Sequence, residues 1–172
     1  MSSISVFATA TSTIHADLIV VSLKRVGIST SGISVLYPSD SRPDSVLYWV
    51  NGETRFDLSP TGKAVTVSGP LRLLLEQHHR RSESASIVEG LRSLGLSVEQ
   101  SMAFEATLLA NRVVLSTEAK DENELALIFH ILHHIGAEKI VLTEAAPMHN
   151  RMRHTVRPSR RRAEASMSLS AA

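Results

Sequence analysis

The sequence predicts an α+β protein: a ferredoxin-like βαβ-βαβ sandwich with an inserted hairpin and helices and a basic C-terminal tail. Three observations carry that expectation. Ile4-Ser5-Val6-Phe7-Ala8-Thr9 leads into an apolar-periodic stretch, Gly27, and the run Ile33-Ser34-Val35-Leu36-Tyr37. Val113-Val114-Leu115-Ser116-Thr117 leads into a second such stretch, Gly136, and Ile140-Val141-Leu142-Thr143. Two β-α-β units of similar length, related by pseudo-repetition, are how the split sandwich is written in sequence. Between them, Asn51-Gly52 joins two strand-like runs, as a type I′ hairpin turn requires.

The first helix is expected to start at Ser12 or Thr13, either of which can cap free backbone N–H groups, and to run to about Val26. Its packing face is read as Ile14, Leu18, Val21 and the stem of Arg25, and Gly27 suits the left-handed position after the helix. Pro38 ends the next strand, and Ser39 to Pro43 reads as loop. The insertion, at about 44–96, holds the hairpin arms Val46 to Val50 and Glu53 to Leu58 and a short strand at Ala64 to Val67. Helices follow from Pro70 to about His79 and from Ser86 to Leu94. Ser97-Val98-Glu99-Gln100 is a capping box for a helix to about Ala110. In the second repeat Asp121 caps, with Glu124 three residues on, and Leu125, Ile128, Phe129, Leu132 and Ile135 are read as the face that packs on the sheet.

Apolar residues make up 43% of the 172-residue chain and charged residues 20%, as in an ordinary globular protein. There is no cysteine, which removes disulfides, thiolate metal sites and cysteine nucleophiles. The start, Met1-Ser2-Ser3-Ile4, lacks a secretory signal pattern, and no apolar run is long enough to span a bilayer, so a cytoplasmic protein is expected. The net charge of +1 conceals an asymmetry: from Asn150 onward six arginines face one acid, Glu164, whereas the rest carries 12 basic and 16 acidic residues. The expected organisation is a single domain over 1–146 and a disordered arginine-rich tail over 147–172.

Several segments of the second half, Ser68-Gly69-Pro70-Leu71, Gly90-Leu91, Leu94-Gly95-Leu96-Ser97-Val98-Glu99-Gln100-Ser101, Phe104-Glu105 and the strand up to Thr117, resemble the general stress protein family of heat-induced bacterial proteins (YflT-like). The resemblance extends from Ile4 to Glu144, unevenly. Phe104 stands where that family usually has tyrosine and Val98 where it often has proline, and the Trp49 hairpin replaces a glycine-rich spacer. The resemblance implies a stress-response context and names no reaction.

Candidate chemistry is sparse. His130 and His134 are four apart on one helix, a spacing at which two imidazoles can share a metal ion, but they point away from the packing face, so solvated helix surface or a protein interface is the reading. There is no G-x-S-x-G elbow, no G-x-G-x-x-G and no P-loop. Glu118, Asp121, Glu122 and Glu124 are explained by helix-start electrostatics. No catalytic, cofactor-binding or metal-binding residue is assigned, and no cofactor is expected.

Possible interaction residues are Tyr48 and Trp49, adjacent on a strand and so facing opposite sides, and the tail arginines Arg151, Arg153, Arg157, Arg160, Arg161 and Arg162. With one sheet face covered by helices and the other potentially open, the expected function is that of a non-enzymatic stress-associated protein acting through a protein partner or self-association as a homo-oligomer, by way of that free face or the inserted hairpin. The alternatives are a regulatory small-molecule sensor and a weak nucleic-acid binder using the tail.

Overall fold

The computed structural model describes residues 4–41, 52–58, 61–81 and 86–144. The elements follow in the order β1 (Ile4–Ala10), α1 (Thr13–Arg25), β2 (Ile33–Pro38), β3 (Glu53–Leu58), β4 (Lys63–Ser68), α2 (Leu71–Arg81), α3 (Ile87–Arg92), α4 (Val98–Leu109), β5 (Val113–Ala119), α5 (Glu122–Ile135) and β6 (Glu138–Glu144). The first hairpin arm, Val46 to Val50, its turn residue Asn51 and the basic tail lie outside the described residues.

Local chemistry sets the helix ends. Ser12 caps α1 by accepting from the His15 N–H, Ser86 caps α3, and Asp121 caps α5 by accepting from the Glu124 N–H at 2.8 Å. At α4 both halves of the capping box form: Gln100 N–H donates to Ser97 Oγ, and Ser97 N–H donates to the Gln100 side chain. The two repeats also end alike. Gly27 (φ +92) and Gly136 (φ +81) take left-handed backbone, with Ile28 N–H donating to the Leu23 carbonyl and Ala137 N–H to the Leu132 carbonyl. These bonds recapture carbonyls that a helix end otherwise leaves free, and only glycine adopts that backbone without a Cβ penalty. At α4 the same place is taken by Asn111 (φ +59), with Arg112 N–H on the Thr107 carbonyl.

Among the described residues six strands form one antiparallel sheet in the order β3-β4-β2-β5-β1-β6. The two halves interlock: β5 lies between β1 and β2, the strands of the first β-α-β unit, while β1 lies between β5 and β6, the strands of the second. The arm Glu53 to Leu58 is a strand, paired with β4 from Glu53↔Ser68 to Leu58↔Lys63, and Gly52 has the positive φ (+81) expected of its turn.

Side-chain alternation sorts the sheet into two cores. Val6, Ala8, Ala10, Ile33, Val35, Val113 and Leu115 pack under α1 and α5 with Ile19, Leu23, Ile128 and Leu132. Phe7, Leu36, Val65, Val67 and Val114 pack under α2, α3 and α4 with Leu71, Leu75, Leu91, Phe104 and Leu108. The expectation of an open sheet face is therefore corrected: the second face is covered over β1, β2 and β5. The inserted helices carry apolar stripes of their own, and burying them against the sheet removes both surfaces from water. A buried cross-link ties α2 to the sheet: its first N–H, at Leu71, donates to Ser34 Oγ on β2 at 3.0 Å.

Two helix faces also differ from expectation. In α1 the buried residues are Ala16, Ile19, Val20 and Leu23, while Ile14 and Leu18 are exposed. Both stripes fit the helical period, so periodicity could not choose; the stripe with the small Ala16 lies on the sheet. In α5, Ile128 and Leu132 are buried and Leu125, Leu127, Ile131 and Ile135 pack beside them, whereas Phe129 is half-buried and stacks on His133, with ring centroids 6.1 Å apart. Among the described residues no helix is long and apolar enough to cross a membrane.

Candidate functional site

Helices α1 and α5 cover one face only as far as β2, so the sheet's β3–β4 end carries polar side chains on that side. On β3 the alternation is complete: Glu53, Arg55 and Asp57 are exposed, and Thr54, Phe56 and Leu58 turn toward α2. Directly across the strands stand Thr66 and Ser68 of β4 and Tyr37 of β2. Tyr37 is buried, and its O–H donates to Glu53 Oε1 at 2.9 Å. Burial, reinforced by the hydrogen bond to Glu53 and by its negative charge, pushes the phenol up to about 12. Tyr37 is thereby held protonated, a donor rather than a base.

One step along, β2 leaves the sheet at Pro38. Ser39 N–H donates to the Ala64 carbonyl at 2.9 Å, Ser39 Oγ lies 2.8 Å from Thr66 Oγ1, and a turn returns Ser41 N–H to the Pro38 carbonyl. Gly62 and Lys63 at the start of β4 and the end of α4 close around this point, and Lys63 Nζ donates to the Leu109 carbonyl at 2.7 Å. The result is a cleft of about 240 Å³ lined by Ser39, Asp40, Arg55, Lys63 and Asn111, with Pro38, Leu58, Ala64 and Leu108 as its apolar wall. Arg55 lies 3.9 Å from Asp57, both of them largely solvent-exposed, so the pair leaves the guanidinium free to engage another anion. Two cations, a carboxylate and an amide around an apolar wall recognise charge of both signs; they do not assemble a nucleophile with a base.

The other notable surface is apolar. Ile14 and Leu18 are 77% and 53% exposed on the side of α1 opposite its buried stripe, and Val21, one turn on, is half-buried. On the opposite side of the sheet Val98 and Met102 form a similar pair on α4.

Of the residues singled out from sequence, Tyr48, Trp49, Arg151, Arg153, Arg157, Arg160, Arg161 and Arg162 lie outside the described residues. His130 and His134 are exposed and stack on each other, with centroids 6.0 Å apart and planes 10° from parallel. Among the described residues no group of three His, Cys, Asp or Glu side chains is placed to hold a metal ion. Sequence reasoning missed the cleft. Its members come from four separate segments, and the one local signal was the alternating charge of Glu53, Arg55 and Asp57.

Compared with known proteins, the chain matches no family model, no curated protein and no solved structure.

Proposed function

We propose that this chain is a ferredoxin-like α+β domain of a non-enzymatic, stress-associated protein that acts by self-association. The antiparallel order β2-β5-β1-β6, built by two crossed β-α-β units, supports the ferredoxin-like reading, with β3, β4 and α2 to α4 inserted between the halves. The resemblance to the general stress proteins supports the context.

The observation that carries the proposal is the outward stripe of α1. Ile14 and Leu18 stand one turn apart and exposed, on a helix whose opposite side is fully buried in the core. Exposed apolar residues scattered singly are ordinary, but a stripe at i, i+4 and i+7 is the form in which a helix meets another helix. A two-fold pairing of α1 with its own copy places each stripe against itself, the self-complementary contact of a dimer. Sedimentation equilibrium of the full chain tests this. The wild type is expected as a dimer or larger, and Ile14→Asp with Leu18→Asp as a folded monomer whose melting temperature no longer rises with protein concentration. A monomeric wild type sinks the proposal.

A further inference from the structure

We infer that the cleft between the end of β2, the start of β4 and the end of α4 is a binding site for a free α-amino acid or a zwitterion of that size. The inference is independent of self-association through α1.

Size comes first. A cleft of about 240 Å³ has room on the order of eight waters, the space an amino acid fills. Charge comes second. Arg55 supplies a planar fork of donors suited to a carboxylate, its tie to Asp57 being long and exposed. Lys63 spends one of its three N–H donors on the Leu109 carbonyl and keeps two. Asp40 lines the same cleft, and it gives an ammonium group a partner while opposing a second negative charge on the ligand. Asn111 adds both a donor and an acceptor. The apolar wall, Leu58, Ala64 and Leu108, is where a ligand side chain loses its water.

Three of the lining residues are held in place by contacts within the chain. Ser39 is held to β4 through the Ala64 carbonyl and through Thr66, Lys63 is tied to the end of α4, and Asn111 sits in the motif that closes α4. A preformed site spends little binding energy on ordering its own groups. The pattern of one carboxylate partner, one ammonium partner and an apolar wall is the complement of a free amino acid, and neither a dianion nor a simple amine satisfies both ends.

The test is isothermal titration of the full chain with the standard amino acids, their amides, their N-acetyl derivatives and inorganic phosphate. Saturable binding of one or a few free amino acids is expected, weakened about tenfold or more in the amide, which lacks the carboxylate, and in the N-acetyl form, which lacks the ammonium. Arg55→Gln, at an exposed position, is expected to weaken binding of the free amino acid about tenfold while leaving the melting temperature unchanged. Asp40→Asn is expected to bring the N-acetyl derivative level with the free acid. Absence of saturable binding by any amino acid, binding of phosphate in preference to all of them, or full affinity retained in Arg55→Gln overturns the proposal.

Discussion

His15 Nε2 lies 2.9 Å from the carbonyl of Ile135, so the first turn of α1 is fastened to the last turn of α5, 120 residues later. On its other side His15 Nδ1 accepts the Thr11 N–H at 3.1 Å, which assigns the ring proton to Nε2 and makes Ile135 the acceptor. The two β-α-β units thus meet through a histidine that satisfies a carbonyl at the end of α5 and an N–H ahead of α1.

Replacing His15 with Ala removes both bonds and leaves two backbone groups to find water at a half-buried site. The expected loss is about 1–2 kcal/mol, read as a lower urea midpoint with an unchanged slope. A midpoint equal to that of the wild type would show that the link contributes nothing to the joining of the halves.

Phe104 of α4 is buried against Phe7 of β1, with ring centroids 5.9 Å apart, and is the largest side chain that α4 sets into the second core. Phe104→Ala is expected to cost about 3–5 kcal/mol through lost contact and the cavity left behind, and Phe104→Leu under about 1.5 kcal/mol. Denaturant unfolding followed by circular dichroism measures both. Equal, small costs would mean that the α4 layer rests only loosely on the sheet.

Tyr37 makes stability depend on alkaline pH. Its folded pKa, about 12, lies above the ordinary value of 10.0. Between those values the folded chain holds a proton that the unfolded chain has released. The contribution is complete below about pH 10 and is lost as pH rises through about 12, at up to roughly 1.4 kcal/mol per pH unit. Tyr37→Phe removes this dependence. The mutant should be less stable than the wild type near neutrality, by about 1 kcal/mol for the hydrogen bond to Glu53, and the gap should close and then reverse as the pH is raised toward about 12. A gap that stays constant to high pH would contradict the buried, protonated phenol.

The features legible in the sequence are those decided within a few residues. Ser12, Ser97 with Gln100, and Asp121 with Glu124 cap their helices as their spacing predicts, because a cap is a bond between a side chain and an N–H three residues on. Gly27 and Gly136 end theirs because the left-handed backbone is a local demand. Strand positions were equally readable, down to the arm Glu53–Leu58.

What escaped was which surface meets which. Ile14 and Leu18 fit an amphipathic stripe as well as Ile19 and Leu23 do, and only the sheet beneath α1 selected the second pair. Phe129, counted with the core, finds His133 instead. The helices of the insertion were found along the chain, but their place on the second sheet face was not, since a stripe records that a helix must be covered and not by what. The cleft is the extreme case: Asp40, Arg55, Lys63 and Asn111 share no local pattern and are brought together by strand pairing and by the end of α4.

By itself, the sequence determined the described elements to within a few residues, the capped helix starts, the α+β class and the chain's lack of thiol chemistry, because propensity, capping and composition act within one turn or one strand. The tertiary structure alone decided the burial of both sheet faces, the outward turn of Ile14 and Leu18, the protonated Tyr37 and the charged cleft. Each of these depends on contacts between segments tens of residues apart, where the hydrophobic effect fixes how much surface is buried but geometry fixes which.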